Sequence, residues 1–190
     1  MNLTKEDQAC LIEYSRQQQN LPIALAIWSI QEDLRNAIIT EFLTELQEYV
    51  ENGLEQENLP WCVAAPLNQS EWKKNDILIL SITREESNRE IGLYKWKETQ
   101  EWETYLGGKC NDDPALTPEQ LEPALVGVGT GRRYGSHGFE WSGNIENNYR
   151  DLGSDEALTT MNMENGRQEF VEHYGEVLLR AVIVTEELLD

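Results

Sequence analysis

Phe170, Tyr174, Val177, Leu178, Ala181, Val184 and Leu188 recur at three- and four-residue steps near the end of the chain. That spacing places seven apolar side chains on one stripe of an α-helix spanning residues 166–189. A stripe of that length must be covered by another element, which excludes any fold built from strands alone. A second amphipathic helix supplies one cover. Leu34, Ile38, Phe42, Leu46 and Tyr49 repeat at the same steps, and Ile39, Leu43 and Val50 widen the face. Gly53, after Asn52, is its expected stop. Its start has two readings: as early as Pro22, or after a break near Ser29.

Between the two helices the apolar pattern changes period. Ile77-Leu78-Ile79-Leu80-Ser81-Ile82 is nearly continuous, the pattern of a strand covered on both faces. Residues 91–97 alternate, with Gly92, Tyr94 and Trp96 on one side, and polar residues 85–89 join the two runs. An antiparallel hairpin follows. Residues 60–66, bracketed by prolines, read as an edge strand or an extended entry into a sheet, and Phe139-Glu140-Trp141 as another strand. Trp102, Tyr105 and Leu106 continue at helical spacing until Gly107-Gly108. At the N-terminus Thr4 and Asp7 form a capping-box variant opening a helix over residues 5–19, whose apolar face (Leu11, Tyr14, Cys10) is thin. Thr117-Pro118-Glu119 starts a short helix ending near Leu125.

The expectation is a single α+β domain over residues 1–190. An antiparallel sheet of about three to five strands is covered by long amphipathic N-terminal and C-terminal helices. Residues 1–60 are mainly helical, 61–110 rich in hairpin, and 111–190 a loop followed by the C-terminal helix. At 190 residues the chain can bury roughly 70% of its unfolded surface. Its 16 aromatic residues, six of them tryptophan, argue against a disordered tail.

Charge sets the partner class. With 35 acidic and 15 basic side chains the formal net charge is −20. A phosphate backbone or an anionic membrane repels such a chain, so neither nucleic acid nor membrane is an expected direct partner. The acidity is uneven: residues 61–110 are nearly balanced, whereas the helical ends are strongly negative. Glu41, Glu45 and Glu48 fall on one face of the second helix, with Glu51 and Glu55 extending it. Carboxylates one turn apart are spaced by about 6 Å, close to the phosphate repeat of a DNA strand. Such a row also has a plainer reading, as the solvated face of an acidic protein.

Residues of catalytic type are sparse. His137 and His173 have no second histidine or cysteine at ligand spacing, so neither a zinc site nor any cofactor is expected. Cys10, Cys62 and Cys110 are odd in number and widely spaced, which excludes a disulfide framework. They read as small buried apolar residues of a cytoplasmic protein. The polar, acidic start, Met1 to Asp7, lacks the pattern of a secretory signal. Gly127 to Gly138 is the one stretch where flexible backbone meets positive charge, with Arg132, Arg133 and His137 as a candidate anion site. Arg132 stands where a dinucleotide fingerprint needs glycine, and no nucleoside-triphosphate lysine follows. Glu71-Trp72-Lys73 has the Glu-x-Lys form of a nuclease site but precedes the apolar strand.

Three functions follow. The leading one is an acidic, non-catalytic binding protein that neutralises a basic partner through Glu41, Glu45, Glu48, Glu51 and Glu55. An immunity protein for a nuclease-like toxin fits this class, as does a phage-type inhibitor occupying a nucleic-acid-binding site. The second is a small enzyme acting on an anionic substrate through Arg132, Arg133 and His137. The third is a homo-oligomeric scaffold with tryptophans at its interface.

Overall fold

The C-terminal stripe packs against the long second helix, and the pair closes over a sheet. A computed structural model describes residues 4–64, 77–84, 87–95, 103–110, 115–136 and 138–189, without the side chains of Trp28, Ile77 and Ser136. The elements in chain order are α1 (Lys5–Arg16), α2 (Leu21–Gln56), β1 (Trp61–Ala64), β2 (Ile77–Arg84), β3 (Arg89–Lys95) and β4 (Thr104–Cys110). There follow α3 (Pro118–Ala124), β5 (Thr130–Ser136), β6 (Phe139–Asn144), α4 (Asp155–Met161) and α5 (Glu164–Glu187). The strands form one antiparallel sheet in the order β1-β2-β3-β4-β6-β5. The α+β class holds, with six strands among the described residues rather than three to five.

The hairpin of β2 and β3 forms as expected, with Ile82 opposite Ile91. Ile79, Leu80, Ser81 and Ile82 are all buried, so β2 is covered on both faces. β1 is an edge strand. Three local expectations fail for physical reasons. Gly107-Gly108 does not end a helix. Both glycines lie inside β4, where a Cβ on Gly107 would land on the Phe139 ring and one on Gly108 on the Trp141 indole. The missing side chains make room for the aromatics of β6. Gly53 does not stop α2, which continues to Gln56, and its bare backbone admits Leu179 of α5. Gly127 to Gly138 is not a loop throughout, because β5 lies within it and pairs with β6. The cysteines also depart from expectation: Cys10 and Cys62 are exposed and Cys110 is half-buried.

The core sits between α2, α5 and the sheet. Phe42 of α2 meets the Tyr174 ring edge-on, with centroids 5.4 Å apart. The Tyr174 hydroxyl donates to the Tyr149 carbonyl and lies 2.9 Å from the Thr104 hydroxyl of β4, tying α5 to the sheet. At the far end of α5, Glu186 accepts from Trp61 Nε1 (2.8 Å) and, on both carboxylate oxygens, from Arg84 (2.8 and 2.9 Å). Within the sheet, Arg89 is 1% exposed and its Nη1 donates to Glu140 Oε2 at 2.5 Å.

The N-terminal third behaves differently. α2 is unbroken at Ser29 and runs for 36 residues. Among its described side chains the first that is buried is Ile38. Ahead of that point α1 buries nothing, and Leu11, Ile12 and Tyr14 are exposed along with Leu21, Ile23, Leu25, Ile27, Ile30 and Leu34 of α2. Gln17 leaves helical geometry and ends α1, and Asn20 Nδ2 donates to the Tyr14 carbonyl across the break. Residues 4–37 therefore form a helical arm, and none of its described side chains is buried in the body.

Candidate functional site

One outward stripe runs the length of α2. At about 100° per residue, Ile23, Ile27, Ile30, Leu34, Ala37, Glu41, Thr44, Glu48, Glu51 and Glu55 follow alternating four- and three-residue steps along the same side of the helix. All ten are exposed. The opposite side carries Ile39, Phe42, Leu43, Leu46 and Val50 into the core. The outward stripe is apolar along the arm and acidic along the body.

The five nominated glutamates do not act as one row. Arg167 of α5 lies against the first two: its Nε donates to Glu45 Oε1 at 2.7 Å and its Nη1 is 3.3 Å from Glu41 Oε2. Arg167 Nη1 also donates to the Met161 carbonyl, which fixes the guanidinium in place. Glu41 and Glu45 are thereby half neutralised. Glu48, one turn further on, points to solvent. Glu51 accepts from Gln47 Nε2 at 2.8 Å. Glu51 and Glu55 line a groove of about 430 Å³ where the end of α2 meets β1, with Leu54, Leu59, Trp61 and Val63 as its apolar wall and Asn58 at positive φ at its end. The groove and the exposed carboxylates together offer an apolar floor with a negative rim.

In the glycine-rich segment the Arg132 guanidinium is committed to backbone carbonyls. Arg132 turns back on the loop before β5, and its Nη1 donates to the carbonyls of Leu125 (2.5 Å) and Val128 (2.9 Å). That guanidinium caps the end of α3 and the turn after it. Arg133 is exposed on β5. His137 lies outside the described residues, as do Glu71, Trp72 and Lys73. Gly129 and Gly131 hold positive φ beside Asn144, where the chain turns tightly into the sheet edge.

His173 stacks on the Tyr149 ring at 3.9 Å, and burial pulls its pKa below the ordinary histidine range despite the nearby carboxylates of Glu146, Glu176 and Glu169. This is a packing role. Among the described residues no group of three or more histidine, cysteine, aspartate or glutamate side chains is arranged to hold a metal ion, and no helix is long and apolar enough to cross a membrane.

The apolar half of the outward stripe escaped the sequence reading, which began the amphipathic pattern at Leu34 and assigned its apolar residues to the core. Two signals would have revealed it. Residues 17–31 carry no charged side chain in a chain of net charge −20. Ile23, Ile27, Ile30 and Leu34 are also in phase with Glu41 and Glu48, not with the core-facing Ile39 and Phe42.

No protein-family model, no curated protein and no solved structure matches the chain.

Proposed function

We propose that the chain is a non-catalytic binding protein that captures a basic segment of a partner protein at the acidic end of α2. The observation that carries this reading is the groove beside β1. Two of the five glutamates on the acidic face, Glu51 and Glu55, edge an apolar-walled depression, and exposed Glu48 stands one turn away. Lysine and arginine side chains suit such a place, because their methylene stems cover apolar surface while the charged head stays at the rim. The global charge of −20 steers a basic partner toward the protein, with a rate that falls steeply as salt rises. An inhibitor or immunity protein for a nuclease-like or other nucleic-acid-binding partner belongs to this class.

Capture with the immobilised full chain at low salt, repeated at high salt, tests the reading. A basic protein should be recovered at low salt and released at high salt. The double reversal Glu48→Lys with Glu55→Lys should abolish its capture, whereas Glu41→Gln should leave most of it, since Glu41 already faces Arg167. Recovery of no basic protein, or capture indifferent to the double reversal, refutes the proposal.

A further inference from the structure

We infer that the N-terminal arm is a self-association seam, and that a second copy of this chain packs its own arm antiparallel against Ile23, Ile27, Ile30 and Leu34. This inference is independent of the groove beside β1.

The spacing is the first argument. Steps of four, three and four residues are the a/d repeat of a coiled coil, and all four side chains of the repeat are more than half exposed. Ile27 is 60% exposed and Ile23 is 61% exposed, far beyond what a scattered surface residue needs.

Charge selects the occupant. Two molecules of net charge −20 repel across most of their surfaces, and the facing elements must be free of charge for copies to meet. Residues 17–31 provide that: fifteen consecutive positions carry no charged side chain. A basic partner gains nothing from docking there and has the acidic half of α2 instead.

The same stripe decides direction. In a parallel pair Glu41, Glu48, Glu51 and Glu55 of both copies would lie side by side at an interaxial distance of about 8–10 Å, like charge against like charge. In the antiparallel pair Ile23 lies opposite Leu34 of the second copy, and Ile27 opposite Ile30. The acidic halves and the globular bodies then leave the seam at opposite ends.

Sedimentation equilibrium of the full chain over about 1–100 μM, with Cys10, Cys62 and Cys110 replaced by serine, tests the seam. A dimer is expected. Ile27→Asp with Ile30→Asp should weaken it by about 100-fold or more, while far-UV circular dichroism and the melting temperature, read at a concentration where both proteins are monomeric, stay unchanged. The milder Ile27→Gln should weaken it in the same direction. Oxidation tests the direction: Leu34→Cys alone should not cross-link, whereas Ile23→Cys with Leu34→Cys should give a covalent dimer. A monomer throughout the range overturns the inference, as does a dimer indifferent to these substitutions or one in which Leu34→Cys alone cross-links. Flotation of a monomer with phosphatidylcholine vesicles, lost on Ile27→Asp, would also overturn it and assign the arm to lipid.

Discussion

Arg167 Nε donates to Glu45 Oε1 at 2.7 Å, joining α5 to the acidic face of α2. The same guanidinium reaches Glu41 and the Met161 carbonyl. One cation thus holds two helices and subtracts charge from the face on which a basic partner would arrive.

Replacing Arg167 with glutamine should separate those two effects. The pair is partly exposed, so its loss should lower unfolding free energy by only about 1 kcal/mol in urea titrations. The freed carboxylates make the face more negative. Association with a captured basic partner should accelerate several-fold at low salt, and the difference should vanish at high salt. An unchanged rate at low salt would mean that the partner approaches from elsewhere.

The pair Arg89–Glu140 should behave in the opposite way, because it is buried. Arg89 joins β3 to Glu140 of β6, whose other oxygen accepts from the Leu116 backbone N–H at 2.8 Å. Glu140→Gln takes a counter-charge from a buried guanidinium and should cost about 3–5 kcal/mol by chemical denaturation. The double change Arg89→Met with Glu140→Leu should recover part of that loss, since two apolar side chains need no counter-charge while the Leu116 N–H still loses its acceptor. If the double variant is as unstable as Glu140→Gln, the pair supports the sheet in some way besides charge compensation.

Long periodic segments were legible in the sequence, and positions decided by tertiary neighbours were not. The α5 stripe and the hairpin of β2 and β3 came directly from apolar period, because burial of a whole face leaves a repeated mark. Gly53, Gly107 and Gly108 were misread as breaks, since glycine signals a turn and a close approach alike. Only Leu179 and Trp141, distant in sequence, reveal which it is. α4, capped by Ser154, went unread because seven residues are too few to show a period. The acidic residues of the site were visible. Their division by Arg167, about 120 positions away in the chain, was not.

Two ionisable groups set how the fold responds to acid. Burial lowers the His173 pKa below its ordinary 6.5, and hydrogen bonds from Arg84 and Trp61 lower that of Glu186 below its ordinary 4.5. Both are depressed in the folded state, so both contribute stability that is complete above the unfolded value and lost as pH falls through the folded one. The His173 contribution should fade as pH drops below 6.5, and the Glu186 contribution only below 4.5. Urea midpoints measured from pH 8 to pH 3.5 should show two successive declines. His173→Gln should flatten the upper one and leave the lower; Glu186→Gln should do the reverse. A single decline untouched by His173→Gln would show that the imidazole is as free to protonate in the fold as in the unfolded chain.

The two halves of α2 should respond differently to equally drastic changes. Ile39 is fully buried against the core, whereas Leu25 is 54% exposed on the arm, away from the stripe of Ile23 and Ile27. Ile39→Ala removes packed methylenes and leaves a cavity, at a cost of about 2–5 kcal/mol. Leu25→Ser removes a side chain that is more than half exposed, and its unfolding free energy should stay within about 0.5 kcal/mol of the parent. Association would add a concentration-dependent stabilisation, so the comparison is made at two protein concentrations a hundredfold apart. At the lower concentration Ile39→Ala alone should shift the transition. A comparable shift from Leu25→Ser there would show that the arm packs against its own chain, and that α2 is stabilised along its whole length by one core.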